Sequence, residues 1–178
     1  MLTLRTLIYL EAEVEEEMKG LSRTCSVLRS KGFFDETSAR QKLSDEVVLR
    51  GVAGMLQDYY TGTERIFKRI ALELDERLPK GESWHESLLE QMKIDVPGIR
   101  PAVISETSYG RLDDLWDFRQ RVGNIYGFNL IPERVLVHLL VLPELHASLE
   151  DDIRVFFKTM KERIEERLRS SENPKLKL

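Results

Sequence analysis

Apolar residues recur at three- and four-residue steps along most of this chain, the spacing that gives a helix one buried face. Thr3–Ser30 runs with few breakers, and Leu4, Leu7, Ile8, Val14, Met18 and Leu21 predict its inner face. Gly32 and the Phe33–Ser38 stretch read as the first break. The strongest pattern follows: Val48, Val52, Met55, Tyr59, Thr63, Ile66, Ile70, Leu74 and Leu78 advance by three or four each time. That spacing predicts one helix face of about eight turns, ending at Pro79-Lys80-Gly81.

Ser83, with Glu86 three residues on, has the form of a capping box for a short helix through Met92. Pro97-Gly98 and Pro101 interrupt, and Val103-Ile104-Ser105 opens a helix whose face carries Leu112, Leu115, Arg119, Val122 and Tyr126. Gly127 is its expected stop. Pro132 suits a first helical turn, and a last helix is expected to run to about Arg169 with a kink at Pro143. Residues 170–178 read as a frayed tail. The prediction is all-α: one domain over residues 1–178, an antiparallel bundle of four to five main helices.

Composition narrows the function. With 178 residues, 42% of them hydrophobic and 33% charged, the chain has the make-up of a globular protein. Its single cysteine, Cys25, cannot pair within the chain and offers no zinc motif. The N-terminal apolar run is short and passes straight into the Glu11–Glu17 cluster, unlike a secretory signal, and no uncharged stretch approaches a membrane span. A cytoplasmic protein without membrane contact is expected. The 27 basic and 31 acidic side chains leave a net charge of −4, so any nucleic acid must be met by a local patch.

Candidate chemistry is sparse. No Gly-rich phosphate loop follows Gly51 or Gly54. His138 and His146 in the last helix read as packed or solvated histidines, and no metal site or cofactor is expected. His85 follows Trp84 in the first turn of the short helix, where it would pack against a neighbour or line a cleft. Arg119 interrupts an apolar stripe. Burying it needs an acidic partner, so it either pairs with a carboxylate inside the protein or faces a groove that takes a phosphate.

Around that arginine the sequence reads Phe118-Arg119-Gln120-Arg121-Val122-Gly123-Asn124-Ile125-Tyr126. It resembles the hallmark of the HepT-like proteins, a branch of the HEPN superfamily of helical bundles: an arginine, four to six residues, a histidine, one residue, a tyrosine. Residues 54–62 (Gly-Met-Leu-Gln-Asp-Tyr-Tyr-Thr-Gly) and Ile66–Ile70 resemble that family too. So do Gly81–His85, Leu88–Met92 and Arg100–Ser105, so that the resemblance covers roughly residues 50 to 165.

The resemblance implies the toxin side of a toxin–antitoxin pair, a metal-independent ribonuclease whose composite site forms in a homodimer groove. It implies an MNT-type nucleotidyltransferase antitoxin as partner, able to transfer AMP to the motif tyrosine, here Tyr126. Arg119, Asn124 and Tyr126 would be the catalytic set, with Gln120, Arg121 and His85 in support. One departure bears on catalysis. Asn124 stands where the family has histidine, and an amide does not titrate. Without proton-transfer help the rate falls by roughly 10²–10⁴. Either the copy is a catalytically degenerate adaptor that binds the nucleotidyltransferase without cutting RNA, or another group such as His85 supplies the proton. A stand-alone small-molecule-binding bundle is a third reading.

Overall fold

Six α-helices succeed one another in the structure, a computed structural model that describes residues 3–123 and 130–172. They are α1 (Leu4–Ser30), α2 (Glu36–Lys42), α3 (Glu46–Ile70), α4 (Trp84–Lys93), α5 (Glu106–Gly123) and α6 (Pro132–Glu172). Five of them reach ten residues or more, which is the all-α bundle that the periodicity predicts. Among the described residues the only β pairing is the isolated bridge Val96–Arg100. No helix among them is long and apolar enough to cross a membrane.

Side-chain pairs fix the helix directions. Glu17 reaches Arg65 and Glu13 reaches Arg69, so α1 and α3 run antiparallel. Ser22 meets His146 while Glu11 meets Lys161, so α1 and α6 are antiparallel as well. On the other side, Ser105 bonds Asp152, Ser108 bonds Ser148 and Arg111 pairs with Glu144, which sets α5 against α6 in the same sense. One continuous cluster of buried side chains fills the centre. Where α1 and α3 cross, a Cβ on Gly62 would lie 2.7 Å from Leu21 Cδ2, so a larger residue there would require the Leu21 side chain to shift.

Several local expectations are corrected. The stretch read as a break contains the first turn of α2, started by Asp35, whose carboxylate accepts the Ser38 N–H at 2.8 Å. Ile8, expected inside, is exposed, and Leu10 is buried in its place. The long stripe stays apolar through Leu74, but the α-helix ends at Ile70 and a π-helical turn, Ala71–Asp75, finishes it. Ser83 occupies the N-cap position of α4 without making a side-chain cap bond, so the capping box does not form. Val103 and Ile104 are buried ahead of α5 rather than in it. Ser105 Oγ accepts the Ser108 N–H, and Asp152 of α6 holds both the backbone N–H and hydroxyl of Ser105. Pro132 opens α6, and the helix continues through Pro143.

Candidate functional site

The site is built where three helices bring side chains within reach of one carboxylate. Glu64 lies on α3, one position past the apolar stripe residue Thr63, and is only 4% exposed. A buried carboxylate needs charged or hydrogen-bonding partners, and Glu64 has two. Arg119 of α5 donates from Nη1 to Oε1 and Oε2 at 3.4 and 3.3 Å. His85, in the first turn of α4, meets Oε1 through Nδ1 in a close contact. With Glu64 ionised, Nδ1 is the imidazole nitrogen that carries the proton, which makes Nε2 the acceptor in the neutral ring.

Aromatic rings fix both partners. Trp84 and Trp116 cover the two faces of His85, with centroid separations of 3.4 and 4.2 Å. The Arg119 guanidinium stands 5.5 Å from the Trp116 ring centre and 5.6 Å from that of Tyr60. Lys68 Nζ sits 4.0 Å over Trp84 at the far end of the stack. Burial pushes the Tyr60 phenol well above its ordinary value, with Glu64 adding to the effect, so this hydroxyl stays protonated near neutrality.

The cluster opens on a cleft of about 490 Å³, lined among others by Gln57, Thr61, His85, Trp116, Arg119 and Gln120. Asp58 and Glu82 line it too, so its cations are few and local. Arg119 remains 28% exposed on the side-chain scale, and among the described residues only its Nη1 donates a hydrogen bond. No side-chain nitrogen or oxygen buried among the described residues lacks a partner. The other guanidinium donors therefore face the cleft or solvent.

Of the residues singled out from sequence, His85, Arg119 and Gln120 share this cleft. Arg121 does not: it is exposed, pairs with Asp117 at 3.3 Å and borders separate hollows between α5 and α6. Asn124 and Tyr126, and with them the Gly127 stop, lie outside the described residues. His138 packs on Phe118, and burial depresses its basicity. His146 is buried between Tyr59 Oη and Ser22 Oγ, with Glu150 at 3.2 Å. Among the described residues no cluster of His, Cys, Asp or Glu is suited to a metal ion.

Sequence reasoning missed Glu64. An arginine in an apolar stripe signals that some carboxylate must answer it, but the partner is 55 positions away and spacing cannot select it. The aromatic walls were hidden for the same reason.

Fold and cleft together define an α-helical bundle with an arginine–carboxylate–histidine cluster at the junction of three helices. The profile of the HepT-like protein family matches residues 51–160, and the chain belongs to that family. The matched span holds Glu64, His85 and Arg119, together with positions 124 and 126. No curated protein and no solved structure matches the chain.

Proposed function

We propose that this chain is the toxin component of a toxin–antitoxin pair with an MNT-type nucleotidyltransferase, and that its α3–α4–α5 cleft cleaves RNA without a metal ion. The observation that carries the reading is Arg119, a cation with spare donors placed beside aromatic rings in an open cleft. Phosphodiester cleavage needs a fixed cation for the developing charge, and single-stranded RNA is held by aromatic stacking next to positive charge. The working unit is a homodimer in which the Arg119–Tyr126 segments of two copies come together. Asn124 cannot exchange protons, so cleavage that relied on the local motif alone would be weak.

A second reading is favoured by that same asparagine, and by the hold of Glu64 on Arg119. In it the chain is a helical adaptor that binds the nucleotidyltransferase and leaves RNA intact. One experiment separates the two. The chain is expressed in bacteria alone and with a nucleotidyltransferase encoded beside it, growth is followed, and the purified protein is incubated with RNA in a chelator. Toxin function predicts growth arrest relieved by the partner and chelator-resistant cleavage lost in Arg119→Ala. A stable complex with the partner, without arrest or cleavage, establishes the adaptor. A single-chain mass in light scattering at micromolar concentration would remove the dimer from either account.

A further inference from the structure

His85 sits in the cleft in the arrangement of a proton-transfer group. Its Nδ1 is committed to Glu64, and both ring faces are covered by Trp84 and Trp116. Among the described residues Nε2 has no hydrogen-bond partner, and no side-chain nitrogen buried among them is left unpaired. The ring edge bearing Nε2 is therefore the one that meets the cleft, which His85 lines together with Arg119. A buried carboxylate on Nδ1 fixes the tautomer with an accepting Nε2 and stabilises the imidazolium that forms when Nε2 takes a proton. The residue that the local motif does not supply at position 124 is thus available from another helix, 34 positions earlier than Arg119 in the chain.

We infer that His85, positioned by Glu64, is the general base for RNA cleavage in this protein, with Arg119 beside it as the cation for the phosphate. The inference rests on the ribonuclease reading above. In the step it describes, the ribose 2′-hydroxyl gives its proton to Nε2 of His85, and the 2′-oxygen forms a bond to the adjacent phosphorus. The phosphorus–5′-oxygen bond breaks, and the departing 5′-oxygen takes a proton from water or from the imidazolium. The products are a 2′,3′-cyclic phosphate and a 5′-hydroxyl end. No oxidant, reductant or metal enters. Arg119 faces the non-bridging oxygens with the guanidinium donors that Glu64 leaves unused. His85 is the catalytic residue in this account and Glu64 a positioning residue.

The test uses the full chain and an end-labelled single-stranded RNA of mixed sequence in EDTA, with an all-2′-deoxy copy as the control that cannot react. His85→Phe keeps an aromatic ring, one atom larger, between Trp84 and Trp116 and removes both nitrogens. It should lower the cleavage rate constant about 100-fold or more, within the usual range for losing a general base. The parent's rate should rise with pH through one ionisation that His85→Phe abolishes. His85→Ala, which opens space between the two tryptophans, should recover activity on addition of free imidazole. A packing role alone predicts neither the altered pH profile nor the rescue. Cleavage by the parent with His85→Phe within threefold of it at every pH overturns the role of His85 and leaves the ribonuclease reading standing. No cleavage by the parent, with circular dichroism showing a folded helical protein, overturns both. Cleavage of the deoxy control overturns the 2′-hydroxyl step.

Discussion

Asp75→Ala should be the most damaging single substitution of a charged side chain outside the cleft. Arg100 is fully buried, and each of its five N–H groups is used. Nε and Nη2 grip Asp75 Oδ1 and Oδ2, both at 2.7 Å, in a two-pronged ion pair. The remaining donors bond the carbonyl oxygens of Ile94, Pro101 and Gln91 at 3.0, 3.1 and 2.9 Å. Asp75 is itself 8% exposed on the side-chain scale and ends the π-helical turn, so the pair ties the end of α3 to the loop before α5. Removing the carboxylate leaves a guanidinium without its counter-ion in a closed site, a loss of about 3–5 kcal/mol. That is a large share of a total near 5–15 kcal/mol. For a chain of this length it corresponds to a melting point lower by roughly 6–20 °C. Urea titration followed by far-UV circular dichroism measures it, with the slope expected to hold and the midpoint to fall. Adding Arg100→Met removes the stranded charge and should restore much of the loss. A cost under about 1 kcal/mol for Asp75→Ala would show that water reaches the site and that the buried-pair reasoning fails.

Three further outcomes are expected. Burial holds the imidazole of His146 below the ordinary histidine value, against the opposing pull of Glu150 and with Arg29 adding to the effect; burial does the same at His138, where Asp114 opposes and Arg121 adds. The unfolded chain then takes up protons first, so stability is full above about pH 6.5 and falls as pH drops through the ordinary histidine range; urea midpoints at about pH 7.5 and about pH 5.5 should differ in that direction, and less so in His146→Gln. Burial pushes the Cys25 thiol up to about 11, so a thiol reagent should label it only as fast as the protein unfolds, and rapid labelling of folded protein would contradict its burial. If the proposed partnership holds, co-expression with an MNT-type nucleotidyltransferase should add one or more AMP units to the intact mass, and Tyr126→Phe should abolish them; modification of that variant to the parent's level would place the acceptor elsewhere.

The bundle was legible because its signal is periodic and local. Of the nine positions read along residues 48–78, Val52, Tyr59, Thr63, Ile66, Ile70 and Leu74 are buried and the other three half-buried. Where the signal was short, it failed. In α2 Ala39 is the only buried residue, so a seven-residue helix left no stripe to read. At Ile8, a three-or-four step allowed two neighbours to claim one face, and packing against α3 and α6 chose Leu7 and Leu10. The paired charges were illegible for a different reason. Asp75 and Arg100 are 25 positions apart, and Glu64 and Arg119 are 55 apart. Helical spacing carries no information across a loop, although the need for some partner was readable from each arginine's apolar setting.

From sequence, the two explanations of Arg119 stood as rivals, an internal carboxylate or a groove that takes a phosphate. The geometry makes them compatible, because one carboxylate serves both the arginine and the histidine. Its contacts to Arg119, at 3.3 and 3.4 Å, are long for a charge-assisted bond, and most of the guanidinium's donors lie elsewhere. In the proposed reaction a phosphate drawing Arg119 toward the cleft would leave the charge of Glu64 more fully to His85. The imidazolium formed on proton uptake would be stabilised at the moment the phosphate arrives. Glu64 would thus hold both groups in place while the cleft is free of substrate and favour proton transfer once it is filled. The same coupling would make a carboxylate suit this buried position better than glutamine, which offers a single acceptor oxygen and no charge to offset that of either partner.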